Sequence, residues 1–385
     1  MSREERKPRG ESATARRRGV VFINGAGGFV GRHAVEEAIA SGYRVVASDL
    51  PGADLSHAAA LGAELRPGDL RDTGFVLEAL KGCDYAINVA GIFDLSPPYE
   101  VLFAANVIAV QNMCRSALAN GLKRLVHLAT VGVYGRPHAT PLREDYPLHP
   151  RNNYERTKAL GEVALFNSHR REGLPACSLR PGAVYGPHSR YGVAGIWGLV
   201  LVFASTWLRR IPLPSRDIYF HIVQVRDLAR ASVFLLKAQG VEGKAFNCGE
   251  DHPITLERML DVFLEPYGVK LHSFRWNRAL GALFEAAARL PVGVSRPLNS
   301  LVVRRWDRLA LEQGLQPGFV PRFDPASLDY FSNSTLMDTS RLRELGFTYL
   351  YPDPVEGLRE TWRWYAEQGW FPRTLQLDGT GRVSG

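Results

Sequence analysis

The chain has 385 residues, 45% of them hydrophobic, enough for one large α/β domain with a second lobe and too apolar for extended disorder away from its ends. Its net charge of +8 is concentrated: seven basic residues lie within the first eighteen, ending in Arg16, Arg17 and Arg18. This placement reads as a solvated tail, or as attraction to an anionic lipid or polymer, and no nucleic-acid partner is expected.

Glu4, Glu5 and Glu11 interrupt that tail and no apolar run follows, which speaks against a cleaved secretory signal. Cys83, Cys114, Cys177 and Cys248 are scattered without paired ligand spacing. Reduced, buried thiols in a cytoplasmic protein are therefore expected, with no metal site.

After the tail, Val20 to Ile23 reads as a short buried strand and Phe29 to about Ala40 as a helix, followed by a second strand from Arg44 to Ser48 that ends at Asp49. Apolar runs at Tyr85 to Val89, Leu125 to Ala129 and Ala176 to Leu179 alternate with helical stretches near Glu78, from Val101 to Leu118 and from Tyr154 to Glu172. Alternation at this spacing predicts a parallel sheet covered on both faces, with ligands at the carboxyl ends of its strands. The run Gly192 to Leu208 carries no charge; it reads as a buried or interface helix, or as a contact with membrane or lipidic substrate, and is marginal for a span. No transmembrane span is expected. The pattern recovers with a helical Leu228 to Lys237 and a strand-like Ala245 to Cys248. Near the C-terminus, Val355, Leu358, Trp362 and Tyr365 fall at helical spacing and read as lobe core.

The turn between the first strand and helix carries the cofactor signal. In Asn24-Gly-Ala-Gly-Gly-Phe-Val-Gly31, glycines at 25, 28 and 31 allow a tight turn, close approach of a pyrophosphate and helix-on-strand packing, while Phe29 and Val30 open the helix whose free N–H groups face the phosphates. Asp49, about 20 residues on, suits a ribose diol and would repel a 2′-phosphate. NAD is favoured over NADP, although Arg44 and Arg71 are near enough in sequence to serve a phosphate. Asp69 and Leu70 suit an adenine edge, with a solvated loop acid as the other reading of Asp69. Tyr154 and Lys158, at i and i+4 on one helix face, place an ammonium under a phenol and make it a usable acid or base.

In order, these signatures resemble the extended short-chain dehydrogenase/reductase family, also described as NAD-dependent epimerase/dehydratases, over roughly Gly19 to Gly249. The likeness rests on the glycine loop, Gly-Asp-Leu-Arg-Asp at 68 to 72, Asn-Val-Ala-Gly at 88 to 91, Thr-Val-Gly-Val-Tyr-Gly at 130 to 135, Tyr154 with Lys158, and Arg-Pro-Gly-Ala-Val-Tyr-Gly-Pro at 180 to 187. The resemblance implies a Rossmann-type doubly wound parallel sheet at 19–185 and 221–250, with a smaller, discontinuous C-terminal substrate lobe at 186–220 and 251–375, between a basic tail at 1–18 and a flexible end at 376–385. It implies that Thr130 stands where a catalytic serine is usual, and that Tyr154 exchanges a proton with the alkoxide while Lys158 lowers the phenol pKa and bonds the nicotinamide ribose. Val89, Ala90 and Gly91 would lie beside the cofactor, and Pro181 to Val184 would pass the nicotinamide face. Asn106 resembles a family asparagine near that pocket, or is a helix-stabilising polar residue. Related enzymes often dimerise through a helix pair that includes the Tyr154 helix, so a homodimer is expected.

Dehydratases and nucleotide-sugar decarboxylases of this family usually carry carboxylates directly after the catalytic Thr or Ser. This chain has Val131 and Gly132 there, which disfavours both reactions. The spacing of Arg216-Asp217 before Val225-Arg226-Asp227 departs from the nucleotide-sugar epimerase pattern, and the lobe between 192 and 214 is apolar, with Trp197, Phe203, Trp207 and Leu213. Tyr330-Phe331, Met337-Asp338 and Leu345-Gly346-Phe347 resemble the 3β-hydroxysteroid dehydrogenase-like branch. The expected activity is NAD-dependent interconversion of a secondary alcohol and a ketone on a hydrophobic, sterol-like or polyketide-like small molecule, bound in a cavity beside Trp197 and Tyr185. Nucleotide-sugar epimerisation with retained NAD is the second reading, and a non-catalytic dinucleotide sensor the third.

Overall fold

The computed structural model describes residues 18–93, 97–136, 140–205, 210–215, 218–275, 286, 296–323 and 334–375. Six strands, β1 (Val20–Asn24), β2 (Arg44–Ser48), β3 (Glu64–Leu65), β4 (Tyr85–Asn88), β5 (Arg124–Leu128) and β6 (Ala176–Pro181), join Ala245–Cys248 in one sheet. The spatial order is Ala245–Cys248, β6, β5, β4, β1, β2, β3, and every pairing is parallel. Order reverses between β1 and β4, which opens a crevice beyond their carboxyl ends, at Asn24 and Asn88.

Both faces of the sheet are apolar because successive residues point to opposite sides. Val21 and Ile23 of β1, Ile87 of β4 and Val126 of β5 pack with Ala34, Val35 and Ala38 of the helix Phe29–Ala40 and Leu228, Ala231 and Leu235 of the helix Val225–Leu235. Phe22, Ala86 and Leu125 face the other way, onto Val110, Met113 and Ala117 of the helix Tyr99–Ala119 and Leu165 of the helix Asn153–Glu172. Each fully buried Val, Leu, Ile, Phe or Met among these contributes about 1.5–3 kcal/mol. On this second face the pattern changes toward the carboxyl ends, where Asn24, Asn88, His127 and Ser178 take the inward positions.

The helix Tyr99–Ala119 is, among the described residues, the one long and apolar enough to cross a membrane, but 56% of its apolar window is buried inside the fold. It contains a wider π turn at Ala104–Ile108. The uncharged run after Gly192 forms the helix Val193–Ala204, with Trp197 and Leu201 fully buried. Those side chains pack with Phe263, Leu309 and Tyr365 in a separate core built from the helices Leu256–Leu264, Arg296–Gln313 and Pro354–Glu367. Leu358 and Tyr365 lie in that core, and Val355 and Trp362 pack against it, as their spacing predicts. Trp207, Arg216-Asp217 and Tyr330-Phe331 lie outside the described residues. Leu342 and Phe347 pack instead on the first face of the parallel sheet.

Candidate active site

β1 ends at Asn24, and the chain turns at Gly25 with φ +66°, a conformation that favours glycine. A Cβ on Gly25 would lie 3.0 Å from the Ala90 nitrogen, and one on Gly31 would lie 1.9 Å from the Gly25 oxygen. Gly28 caps the helix Phe29–Ala40 without a side-chain hydrogen bond, which leaves first-turn N–H groups for an anion. Val30 packs on the sheet core and Phe29 stands edge-on to His33, so both hold the helix start in place. This cradle fits the pyrophosphate of a dinucleotide.

Asp49 follows β2 with its carboxylate turned onto the glycine loop, where Oδ2 accepts from Gly27 N at 3.0 Å and Oδ1 from Leu50 N at 2.8 Å. Each oxygen retains a lone pair for a ribose hydroxyl. Arg44 opens the same strand at its far end, about 16 Å away at strand rise, so it does not serve a 2′-phosphate at Asp49. Arg71 is occupied too: its guanidinium holds Asp69 through bonds of 2.8 and 3.0 Å and keeps that carboxyl below its ordinary range. An adenine amine reaching Asp69 shares it with Arg71, beside the buried Leu70.

Val89, Ala90 and Gly91 continue β4 into the crevice. At Gly91 a Cβ would stand 2.9 Å from Asn106 Oδ1 and 3.6 Å from Lys158 Nζ, so only glycine leaves that passage open. Asn106 sits in the π turn, accepts from Ile92 N at 3.1 Å and donates to Thr157 Oγ1 at 3.1 Å, tying the crevice wall to the Tyr154 helix. On the opposite wall β6 ends at buried Pro181, and half-buried Val184 pairs with Val223 in the short strand that follows.

The helix Asn153–Glu172 begins where Asn152 accepts from Glu155 N, while Glu155 Oε2 accepts from Arg151 N at 2.7 Å. This start delivers Tyr154 and Lys158, both buried, beside the turn Val131–Tyr134 capped by Thr130. Thr130 Oγ1 accepts from Gly132 N at 3.2 Å. Burial pushes the Tyr154 phenol above its ordinary pKa, the neighbouring Thr130 hydroxyl pulls it back, and Glu155 raises it. Phe93 stands edge-on to Tyr154 with ring centres 5.2 Å apart and is itself half exposed.

The Lys158 ammonium donates to Leu128 O at 2.5 Å, an acceptor its spacing did not announce, and burial pushes its pKa down to about 8 against an upward pull from Glu162. Trp197 and Tyr185, expected beside a substrate cavity, are both fully buried among the described residues. Trp197 stacks on Phe263 with centroids 4.6 Å apart, and Tyr185 donates to Glu250 Oε1 at 2.7 Å. Asp227 is a latch that accepts from Leu350 N and Tyr351 N, not a ligand group.

Sequence reading missed four groups. Asn24, Asn88 and His127 form a buried polar row under the crevice, signalled by polar residues inside apolar strands. Glu155 completes the Asn-x-x-Glu helix start. The buried Arg180–Glu162 pair, at 2.7 Å, supports the Thr130 turn through Arg180 Nη1 to Tyr134 OH, also 2.7 Å. Phe93 gives the reacting end an apolar wall.

A doubly wound sheet with an open glycine turn at its switch point, and a Thr, Tyr and Lys set beside that turn, defines a dinucleotide-dependent enzyme of the Rossmann class. The chain belongs to the NAD dependent epimerase/dehydratase family, whose model matches residues 21–249. NAD is its cofactor.

Among its relatives are the 2-alkyl-3-oxoalkanoate reductase of Shewanella oneidensis, 25% identical over 79% of this chain and 82% of that protein, and sterol demethylase protein B of Methylococcus capsulatus, 25% identical over 90% and 98%. The fold is shared with a UDP-glucose 4-epimerase of Thermotoga maritima crystallised with UDP-glucose, at TM-score 0.66 and 19% identity over 90% of this chain and 99% of that one.

Proposed function

We propose that the protein interconverts a secondary alcohol and a ketone on a hydrophobic, sterol-like or polyketide-like molecule, with Thr130, Tyr154 and Lys158 as its catalytic residues. The observation that carries this reading is the buried Tyr154 phenol with the Thr130 hydroxyl as its neighbour at the sheet's carboxyl edge, with Val131 and Gly132 in place of the extra acid an elimination needs. Bound NAD supplies the hydride acceptor or donor. Thr130 and Tyr154 hold the substrate oxygen; during reduction Tyr154 gives that oxygen its proton, and during oxidation it removes one. Lys158, one helical turn on from Tyr154 and also bonded to Leu128 O, favours the phenolate form when charged and bonds the nicotinamide ribose. The half-exposed Phe93 ring and the sterol- and alkyl-handling relatives support an apolar substrate.

Epimerisation of a nucleotide sugar is the second reading, supported by the fold shared with the Thermotoga maritima enzyme. Incubating the purified protein with NAD and candidate sterols or hydroxyalkanoates while following NADH absorbance separates the two. Stoichiometric NADH growth supports the alcohol reaction; UDP-sugar turnover with retained NAD and no NADH release overturns it. A non-catalytic sensor predicts neither.

Two further results are expected. Asp49→Asn weakens NAD binding about tenfold by removing a charged acceptor, measured by titration calorimetry; unchanged affinity removes Asp49 from the ribose site. Ketone reduction falls as pH rises past about 8, because Lys158 is charged below that value and loses its proton above it, leaving Tyr154 a weaker acid. Lys158→Met flattens that limb if the assignment holds.

A homodimer is part of this proposal: Val101, Ile108, Leu160 and Val163 are exposed on the helices Tyr99–Ala119 and Asn153–Glu172. So is a cytoplasmic setting, in keeping with four buried, unpaired cysteines.

A further inference from the structure

Four neighbouring strands carry a polar row on one face of the sheet. Asn24 is in register with Asn88, Asn88 with His127, and His127 with Ser178. All four side chains are almost fully buried, directly beyond apolar Phe22, Ala86, Leu125 and Ala176 on the same strands. A buried polar row is costly unless its members are bonded to one another, so its hydrogen bonds have a definite order.

That order is fixed by a main-chain group. Ala90 N can only donate, and it gives its proton to Asn24 Oδ1 at 2.7 Å. Asn24 Nδ2 therefore donates to Asn88 Oδ1 at 2.8 Å, and Asn88 Nδ2 to His127 Nδ1 at 3.1 Å. His127 is left with its proton on Nε2, which has no partner among the described residues. The ring stays neutral, since burial and the neighbouring Lys158 charge both oppose protonation.

We propose that His127 is a positioning residue for the cofactor: as the terminal acceptor of the row it holds both asparagine amides in one orientation, and thereby fixes the Val89–Ala90 peptide against the Gly25 turn where the dinucleotide enters. Without an acceptor at Nδ1 the Asn88 amide is free to turn over, Asn24 loses its ordered partner, and the Ala90 N–H is no longer held. The spacing at risk is small, because Gly25 already approaches Ala90 as closely as an absent Cβ permits.

The test separates cofactor affinity from stability. His127→Phe keeps a ring in the core and removes both nitrogens; its melting temperature is expected to stay near the parent's, the loss of the unpartnered Nε2–H offsetting the Asn88 amide left without an acceptor, while the Kd for NAD measured by calorimetry rises about tenfold, the scale of one net hydrogen bond. His127→Asn retains an acceptor at the same branch point but leaves a cavity, so its melting temperature falls while its Kd stays within about threefold of the parent. Asn24→Ala, at the other end, is expected to match the His127→Phe loss in affinity, and the double variant to be no worse than either. A His127→Phe protein that binds NAD as the parent does, a Kd that follows melting temperature through the three variants, or additive losses in the double variant would each overturn the proposal. Should His127→Phe fail to fold, retained affinity in Asn24→Ala overturns it and a rescued His127→Asn supports it.

Discussion

Replacing Tyr154 with Phe is expected to lower turnover about 10³-fold, within the range a positioned acid or base contributes, while NAD binding stays within about threefold. The ring is buried against Phe93 and keeps those contacts in the variant; only the hydroxyl beside Thr130 is lost. The glycine cradle and Asp49 are untouched, so cofactor affinity has no reason to fall. Steady-state rates with saturating cofactor, set beside a calorimetric Kd, measure both quantities. A turnover within tenfold of the parent would show that the phenol proton is not in the reaction path, and a lost Kd would show that Tyr154 serves the cofactor site as a structural member.

Arg180→Met is expected to destabilise the fold by about 3–5 kcal/mol, the usual cost of stranding one member of a buried ion pair. Glu162 is fully buried, accepts three bonds from the Arg180 guanidinium between 2.7 and 3.1 Å, and would keep only Ser178 Oγ at 2.5 Å. Arg180 also faces the Tyr134 ring and donates to Glu144 O. Urea unfolding measures the loss. Pairing it with Glu162→Leu is expected to recover most of the stability, since no unpaired charge remains. A single variant as stable as the parent would mean that Glu162 is protonated or solvated, against its present surroundings.

The parallel sheet was legible because β1, β4 and β5 are short apolar runs bounded by helix periodicity, and because the Gly25–Gly31 turn can occupy one place only, between a strand and a helix. Tyr154 and Lys158 were legible through their spacing on one helix face. Their environment was not: spacing places a side chain on a face and says nothing of the acceptor across from it, so the turn of Lys158 toward Leu128 went unread. The row from Asn24 to His127 joins residues up to 103 apart, and it shows only when register brings the strands together. Trp197 was ambiguous for a related reason. A large aromatic in an apolar run suits a pocket wall or a packed interior equally, and Phe263, which decides between them, lies on another helix.

The π turn at Ala104–Ile108 brings the Asn106 carbonyl to the place where a Cβ on Gly161 would sit, 2.2 Å away. Two backbones in such close approach cannot slide along one another without collision. The half of the molecule that carries the reacting groups is thereby keyed axially to the crevice wall, whatever molecule arrives. Substitutions elsewhere in the chain can then accumulate while the Tyr154 helix keeps its place against the crevice wall.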